Sequence, residues 1–412
     1  MVSLAPSPSI LRSVQRRTMR TLVVAQVLGA VGLAAGGTAG ALLAQDLTGD
    51  TAAAGLPLAL LVLGSGIGAL VVTRVMNLAG RRAGLTTAHL CGAAGASLSV
   101  AAAGLGDWPL LLGGCTLLGC GNAAVMLARY AAADLAVRRG RSISTVVTAA
   151  SVGAVAGPNL LGPAGGVARG LGLPDATGLF LLAIPAFLAA ALVLTLFLRP
   201  DPLLVARTGT SAGASVAAAP ITPVLANANV RIALLVLATS NLTMVAIMAV
   251  APVQMHAQGA GLSMVGPMIS AHIGAMYLPS PITGALADRL GARRVTSAAA
   301  LVLVVAGTVA LVAGSGLVGT VIVLLLLGIG WNAGLIGGSA LLREAPIEPS
   351  QQTWAEGLGE LGMGAAAAVG GGSAGLVLGA AGFAVLCLVA AVPCVLLLAV
   401  IATNSAAVEG ET

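Results

Sequence analysis

Two carboxylates, Glu356 and Glu360, stand four residues apart inside an apolar stretch. On a helix that spacing puts both on one face. A carboxyl enclosed by apolar groups holds its proton more tightly, and a like-charged neighbour adds to the effect. Such a group can exchange protons near neutrality, which is what proton coupling requires. His272 lies well inside another apolar stretch. Imidazole titrates near pH ~6.5 when unperturbed, so it is a second candidate for carrying protons. Plainer readings stand beside these. Glu356 also suits an acid at a helix N-terminus, stabilised by the helix dipole in the headgroup region. His272 also suits a neutral ring hydrogen-bonded between helices. His89 and His256 fall nearer the ends of their stretches and read as solvated, although His89 also suits a pore-facing position.

Other chemistries find no support. Cys91, Cys115, Cys120, Cys387 and Cys394 all sit in apolar blocks, where a free thiol behaves as a small hydrophobe. Cys115 and Cys120 lack the second ligand pair of a zinc site, so no metal is expected. No paired His/Asp set or Ser/His nucleophile arrangement is visible, and no phosphate-binding loop, so neither an enzyme nor a cofactor is expected. Trp, Tyr and Phe number nine in all, too few for a binding site built mainly on stacking.

The elements that must position these residues follow from composition. Of 412 residues, 58% are hydrophobic and 8% charged, against about 25% charged in an ordinary soluble domain. That composition argues against a soluble enzyme, a secreted disulfide protein or a disordered regulator. About 20 apolar residues cross a bilayer as a helix. Twelve such blocks read near 21–44, 53–73, 84–104, 109–132, 143–163, 177–198, 230–251, 264–287, 295–314, 317–342, 354–378 and 380–402. All 19 basic residues are arginine. With the N-terminus in the cytoplasm, every arginine except Arg169 falls in a cytoplasmic segment, a strong positive-inside pattern. The arginines are spread over short loops and form no basic face, so a nucleic-acid partner is not expected. The expected organisation is therefore a cytoplasmic tail over 1–20, a six-helix bundle over 21–198, a Pro-, Gly- and Ser-rich cytoplasmic linker over 199–229, a second six-helix bundle over 230–402 and a cytoplasmic tail over 403–412.

The two halves repeat. A short basic loop, Asn77-Leu78-Ala79-Gly80-Arg81-Arg82, follows the second block, and Asp288-Arg289-Leu290-Gly291-Ala292-Arg293-Arg294 follows the eighth. Internal duplication of this kind points to a secondary transporter with its site between the halves near mid-membrane. With these loops the chain resembles the major facilitator superfamily. Gly284, Asp288, Arg289, Gly291, Arg293 and Arg294 follow that family's loop motif with one extra residue, Ala292. The first copy departs from it: Thr73 stands at the Gly position, Asn77 at the Asp and Leu78 at the first Arg. In the family this Asp helps latch one conformation against a helix end in the other half, and Asn77 lacks the charge to do so. Gly153, Gly157, Pro158 and Gly162 resemble the antiporter motif of drug–proton exchangers, with Ser144 and Leu161 in place of glycines. Generic close helix packing also accounts for small residues at that spacing. Gly119, Gly121 and Ala123 resemble the end of a further motif, with Cys115 where the family carries an intramembrane arginine.

The resemblance implies an all-α membrane protein with twelve transmembrane helices in two pseudo-symmetric six-helix bundles. It implies a multi-pass cell-membrane transporter that works as a monomer in contact with lipid, with both termini cytoplasmic. It also implies that the first, fourth, seventh and tenth spans line a cavity. Gln26, Asn122, Asn241, Thr243, Trp331 and Asn332 are then the substrate-facing candidates, with Met244 and Met248 as a soft wall. The same amides suit interhelical hydrogen bonds. Arg129 and Asp134, at the end of the fourth span, suggest an inside gate, with Arg129 snorkelling to the cytoplasm. The expected function is export of a small, mostly apolar molecule in exchange for protons. The alternatives are a proton symporter or facilitator importing a metabolite and, from another class, a membrane sensor or scaffold.

Overall fold

The computed structural model describes residues 8–33, 39–49, 55–208, 221–259, 262–312 and 316–409, and among these it is helical, without strands. In chain order the helices are α1 (Pro8–Leu33), α2 (Gly40–Thr48), α3 (Leu56–Leu105), α4 (Trp108–Ala131), α5 (Arg139–Asn159), α6 (Leu161–Gly170), α7 (Thr177–Phe197) and α8 (Pro202–Thr208). They continue with α9 (Ile221–Ala226), α10 (Ala228–Ala257), α11 (Leu262–Tyr277), α12 (Ser280–Leu290), α13 (Ala292–Val312), α14 (Leu317–Glu344) and α15 (Pro349–Glu409). Seven helices among the described residues are long and apolar enough to cross a bilayer.

Two of these helices contain a sharp kink at glycine. Within α3, Gly80 takes φ 89° and ψ 174°, a conformation open to glycine and costly for other residues. A Cβ on Gly84 would come within 3.1 Å of the Val72 carbonyl oxygen. A straight helix would separate those twelve residues by about 18 Å. The chain therefore doubles back at Gly80, and the second and third apolar blocks become two antiparallel arms. Gly382 makes the same break within α15, at φ 81°. Gly291, the counterpart of Gly80 in the repeated loop, ends α12 at φ 88°. The repeat is thus one of backbone shape as well as of sequence.

Several helices differ in extent from the apolar blocks. Residues 8–20, expected as a tail, form the first turns of α1. Val14 and Thr18 are buried on one side of these turns while Arg12, Arg16 and Arg20 are exposed on the other, an amphipathic start that apolar content alone does not reveal. The eighth block is divided into α11 and α12 ahead of Pro279, which has no N–H to continue the ladder. The fifth block is interrupted at Leu160, between Pro158 and Pro163. The linker contains α8 and α9.

The chain divides into two compact units. The first comprises Met1–Arg138, Thr145–Ala219 and Glu348–Leu361; the second comprises Arg139–Ser144, Pro220–Ile347 and Gly362–Thr412. Each half of the sequence thus lends a short segment to the unit formed mainly by the other. In the first unit the arm of α3 after Gly80 packs on α4 at backbone contact. A Cβ on Gly95 would lie 2.6 Å from the Gly114 carbonyl oxygen, and one on Gly114 would lie 2.8 Å from that of Gly95. Small residues permit this approach between membrane helices, where dispersion and close packing replace the hydrophobic effect. Phe180, Phe187, Leu43, Leu111 and Leu118 fill the space beside that contact. In the second unit Val250, Ala374 and Leu386 form a corresponding small core.

Candidate functional site

The first unit holds a buried cluster of five charged side chains. Arg81 leaves the turn made by Gly80, and Asp134 follows the C-terminal end of α4. Arg129 is in the last turn of α4, and Glu356 and Glu360 lie on the first turns of α15. The Arg81 guanidinium grips two carboxylates at once. Its Nε and Nη2 donate to Asp134 Oδ2 and Oδ1 at 2.9 and 3.0 Å. Its Nη1 and Nη2 donate to Glu356 Oε2 and Oε1 at 2.6 and 2.9 Å. Both pairs are bidentate, the geometry for which a planar guanidinium is suited and an ammonium is not. Side-chain exposure is 0% for Arg81 and for both of its partners.

One turn further along α15, Glu360 Oε1 forms an ion pair with Arg129 Nη2 at 2.6 Å, although the approach lacks hydrogen-bond geometry. Arg129 also donates to the Met126 carbonyl oxygen and to the Tyr130 hydroxyl. A charge left alone in such surroundings is strongly unfavourable, so each cation here needs its acid. With every group ionised, the five side chains carry one more negative than positive charge.

Glu356 and Glu360 do share a helix face, as their spacing predicts, and each faces an arginine. Arg129 does not reach solvent: it is 1% exposed and paired with Glu360, while Asp134 is taken by Arg81. The expected snorkelling of Arg129 gives way to its pairing with Glu360 because an acid on α15 lies closer than water. Sequence reading gave Arg81 a loop role and missed it as the hub of the cluster. Its only local signal was a place in a basic loop, and its partner Glu356 is 275 residues away.

The loop beside the cluster is held by the start of the linker. Arg207 donates to the Asn77 carbonyl oxygen at 2.9 Å and to Asn77 Oδ1 at 2.7 Å. Asp201 Oδ2 accepts from the Arg82 N–H at 2.7 Å, and its carboxylate fills the space where a Cβ on Gly80 would stand. In the second unit the repeated loop works differently. Asp288 accepts from the N–H groups of Gly140 and Arg141 at 2.8 and 3.0 Å, so it caps the start of α5. Gly284 allows the two elements to meet, since a Cβ there would lie 2.5 Å from the Gly140 carbonyl oxygen. Arg139 donates to the Arg343 carbonyl oxygen near the end of α14, and Arg293 donates to that of Ile401. Arg289 and Arg294 are exposed.

The remaining candidates are scattered. Gln26 donates to the Val125 carbonyl oxygen and Asn122 to Ser65 Oγ, joining α1 and α3 to α4. Asn241 accepts from Trp331 Nε1 and donates to the Met363 carbonyl oxygen. Thr243 donates to the Ala390 carbonyl oxygen. Asn332 donates to the Met276 carbonyl oxygen and to Ser280 Oγ, and accepts from Thr283. These are the interhelical bonds that were the alternative reading, and Asn332 has both amide hydrogens in use. His272 Nδ1 lies 2.7 Å from the Leu324 carbonyl oxygen, and its Nε2 is buried without a partner. His89, expected to be solvated, is 2% exposed, bonded to the Leu85 carbonyl oxygen and edge-on to Phe187. The reason is that α1, at Gly29, and α7, at Phe187, pack against it. The side chains of His256, Gly157 and Pro158 lie outside the described residues. Gly153 does bring α5 against the α1 backbone at Ala30, whereas Gly162 faces open space. Among the described residues no three His, Cys, Asp or Glu side chains gather as metal ligands.

Comparison with known proteins agrees with this arrangement of helices. Residues 22–345 match the family model of the Major Facilitator Superfamily. An "Uncharacterized MFS-type transporter YdeG" of Bacillus subtilis (strain 168) is 37% identical over 404 residues, covering 96% of this chain and 93% of the relative. The "Riboflavin transporter RfnT" of Brucella anthropi is 29% identical over 350 residues, covering 83% of this chain and 84% of its own length. Among solved structures, the human organic anion transporter MFSD10 (TETRAN) superposes with a TM-score of 0.74 at 16% identity, covering 94% of this chain and 99% of that one. With the family model, the relatives and the fold in agreement, the chain belongs to the Major Facilitator Superfamily and is a multi-pass membrane transporter, not an enzyme.

Proposed function

We propose that this transporter exports a small, mostly apolar molecule in exchange for protons by alternating access. In this reading twelve spans form two six-helix bundles over 21–198 and 230–402, both termini are cytoplasmic, and the working unit is a monomer. The observation that carries the proposal is the buried cluster of Arg81, Asp134, Glu356, Arg129 and Glu360, with its surplus of one negative charge. One proton would neutralise it. Placed on Glu360, that proton would also loosen the hold of Arg129 on α15. Glu360 is thus the leading proton carrier. His272, with a buried and unpartnered Nε2, comes second. Arg81, Asp134 and Glu356, with Arg129, act as the cytoplasmic gate. Among the amide candidates Asn122 is the one left partly exposed, and it is assigned to a substrate-facing position in the first unit; Asn241 and Trp331, with Met244 and Met248, are the candidates of the second.

The test uses the purified chain in proteoliposomes with an imposed pH gradient. Amphipathic heteroaromatic compounds should head the substrate screen, riboflavin among them because of the RfnT relative. Substrate should move against its gradient when protons run the opposite way. Glu360→Gln should abolish that uphill movement and retain substrate exchange at equal pH. Uphill transport that survives Glu360→Gln undiminished would remove Glu360 from the coupling, and substrate and protons moving in the same direction would replace export by symport.

A further inference from the structure

A cavity of about 580 Å³ opens beside the first turns of α1, lined by Ser13, Arg16, Arg17, Arg20, Thr21 and Val24 on that helix and by Val193 and Phe197 on α7. It lies in the first unit, apart from the five-charge cluster. Its two sides differ in chemistry. Residues 13, 16, 17, 20, 21 and 24 recur at three- and four-residue steps, so they form one stripe along α1. Three guanidinium groups and two hydroxyls make up most of the α1 side, and Val193 and Phe197 on α7, with Val24, supply the apolar side.

The arginines have no acid of their own. Neither α1 nor α7 contains Asp or Glu, and the first acid in the chain is Asp46. Arg16 and Arg20 are exposed and form no ion pair among the described residues. Arg17 is held in place because its Nε donates to the Phe197 carbonyl oxygen at 3.1 Å. Thr21 Oγ1 donates to the carbonyl oxygens of Arg17 and Phe197 and fastens the two helices below it. The terminal nitrogens of a guanidinium restrained in this way are suited to a planar or tetrahedral oxyanion.

The apolar side indicates which oxyanion. Phe197 is 51% exposed, and Leu188, Leu192 and Leu196 continue an outward apolar face along α7. That helix is long and apolar enough to cross the bilayer. The cavity therefore grades from cations into a surface made for hydrocarbon. Inorganic phosphate or a soluble anion would gain nothing from Val24, Val193 and Phe197. A phospholipid would use both sides, with its phosphate on the arginines and its first acyl carbons on the apolar wall.

We propose that the cleft between α1 and α7 is a binding site for an anionic phospholipid, with Arg16, Arg17 and Arg20 on the headgroup and Val24, Val193 and Phe197 against the acyl chains. The site goes beyond the transport reading. Only its assignment to the inner leaflet rests on the orientation proposed above. Anionic lipids attract basic segments at that surface.

The test is retention of lipid by the full-length protein in detergent, read by native mass spectrometry without substrate or pH gradient. A failure of transport therefore leaves this result untouched, and the reverse also holds. Phosphatidylglycerol should be retained in preference to phosphatidylcholine of the same chains. The double substitution Arg16→Gln/Arg20→Gln, which spares the Arg17–Phe197 bond, should weaken retention about tenfold or more. The control Arg74→Gln/Arg138→Gln removes two exposed arginines elsewhere and should leave retention as it was. Equal retention of the two lipids by the wild-type protein overturns the proposal, whatever the variants do. So does an equal loss in the control. Displacement of phosphatidylglycerol by millimolar glycerol phosphate or inorganic phosphate would make this an anion site without a lipid role.

Discussion

The two copies of the repeated loop have the same shape and opposite chemistry. Gly80 and Gly291 share a positive φ within 1° of each other, so each loop turns the chain in the same way. The second copy then uses a carboxylate, Asp288, to cap the backbone N–H groups at the start of α5. The first has an amide, Asn77, at the corresponding position. It reaches α15 with a cation instead, Arg81 on Glu356. Charges missing from the first loop are supplied by the linker, where Asp201 and Arg207 dock on it. Duplication preserved the fold of the backbone here, while the attachments made by side chains were redistributed. The energetic consequence is unequal. A capping carboxylate is worth about 0.5–2 kcal/mol. Removing one partner of a buried ion pair costs about 3–5 kcal/mol, because the other charge is left behind.

The largest expected effect tests that inequality. Arg81→Ala abandons two buried carboxylates and should lower stability by about 3–5 kcal/mol, read as a fall in the thermal midpoint of the purified protein. Arg81→Lys should recover only part of it, since an ammonium cannot fork onto both acids. A midpoint fully restored by lysine would show that charge alone matters at this position. Next comes Asp288→Ala, which should cost about 1 kcal/mol through loss of the α5 cap and its dipole interaction. If Asp288→Ala proved as damaging as Arg81→Ala, the two loops would be equivalent after all and the contrast would fail. The smallest effect is expected from Asn77→Asp. It restores the family's acid next to Arg207 at a part-buried site, where an added ion pair contributes about 0.2–1 kcal/mol. The midpoint should rise slightly; a clear fall would show that Arg207 is already committed to neutralising Asp134 and Glu356.

Much of the local structure was legible because it depends on neighbours in sequence. The short loops at Gly80 and Gly291 and the shared face of Glu356 and Glu360 follow from backbone preferences and helical period, whereas the break before Pro279 was read through as one span. The start of α1 was not legible from apolar content, since its buried side consists of Val14 and Thr18 between arginines. The amide candidates were identified as polar groups within the helices, yet whether Asn332 faced a cavity or Ser280, Thr283 and Met276 depended on which helices became neighbours. His89 was misjudged for the same reason, as packing by α7 buried a ring that its distance along α3 had left near a helix end.

By itself the sequence determined that the chain folds as helices for a bilayer, that it repeats, and that it belongs among the major facilitators. Hydropathy, helical period and loop motifs are written over a few dozen consecutive residues. Only the tertiary structure decided the partners of the charges: Arg81 with Asp134 and Glu356, Arg129 with Glu360, and Asp288 with the start of α5. The physical reason is that a buried charge is stabilised by whichever opposite charge or dipole lies within a few ångströms, and separation along the chain carries no information about that distance.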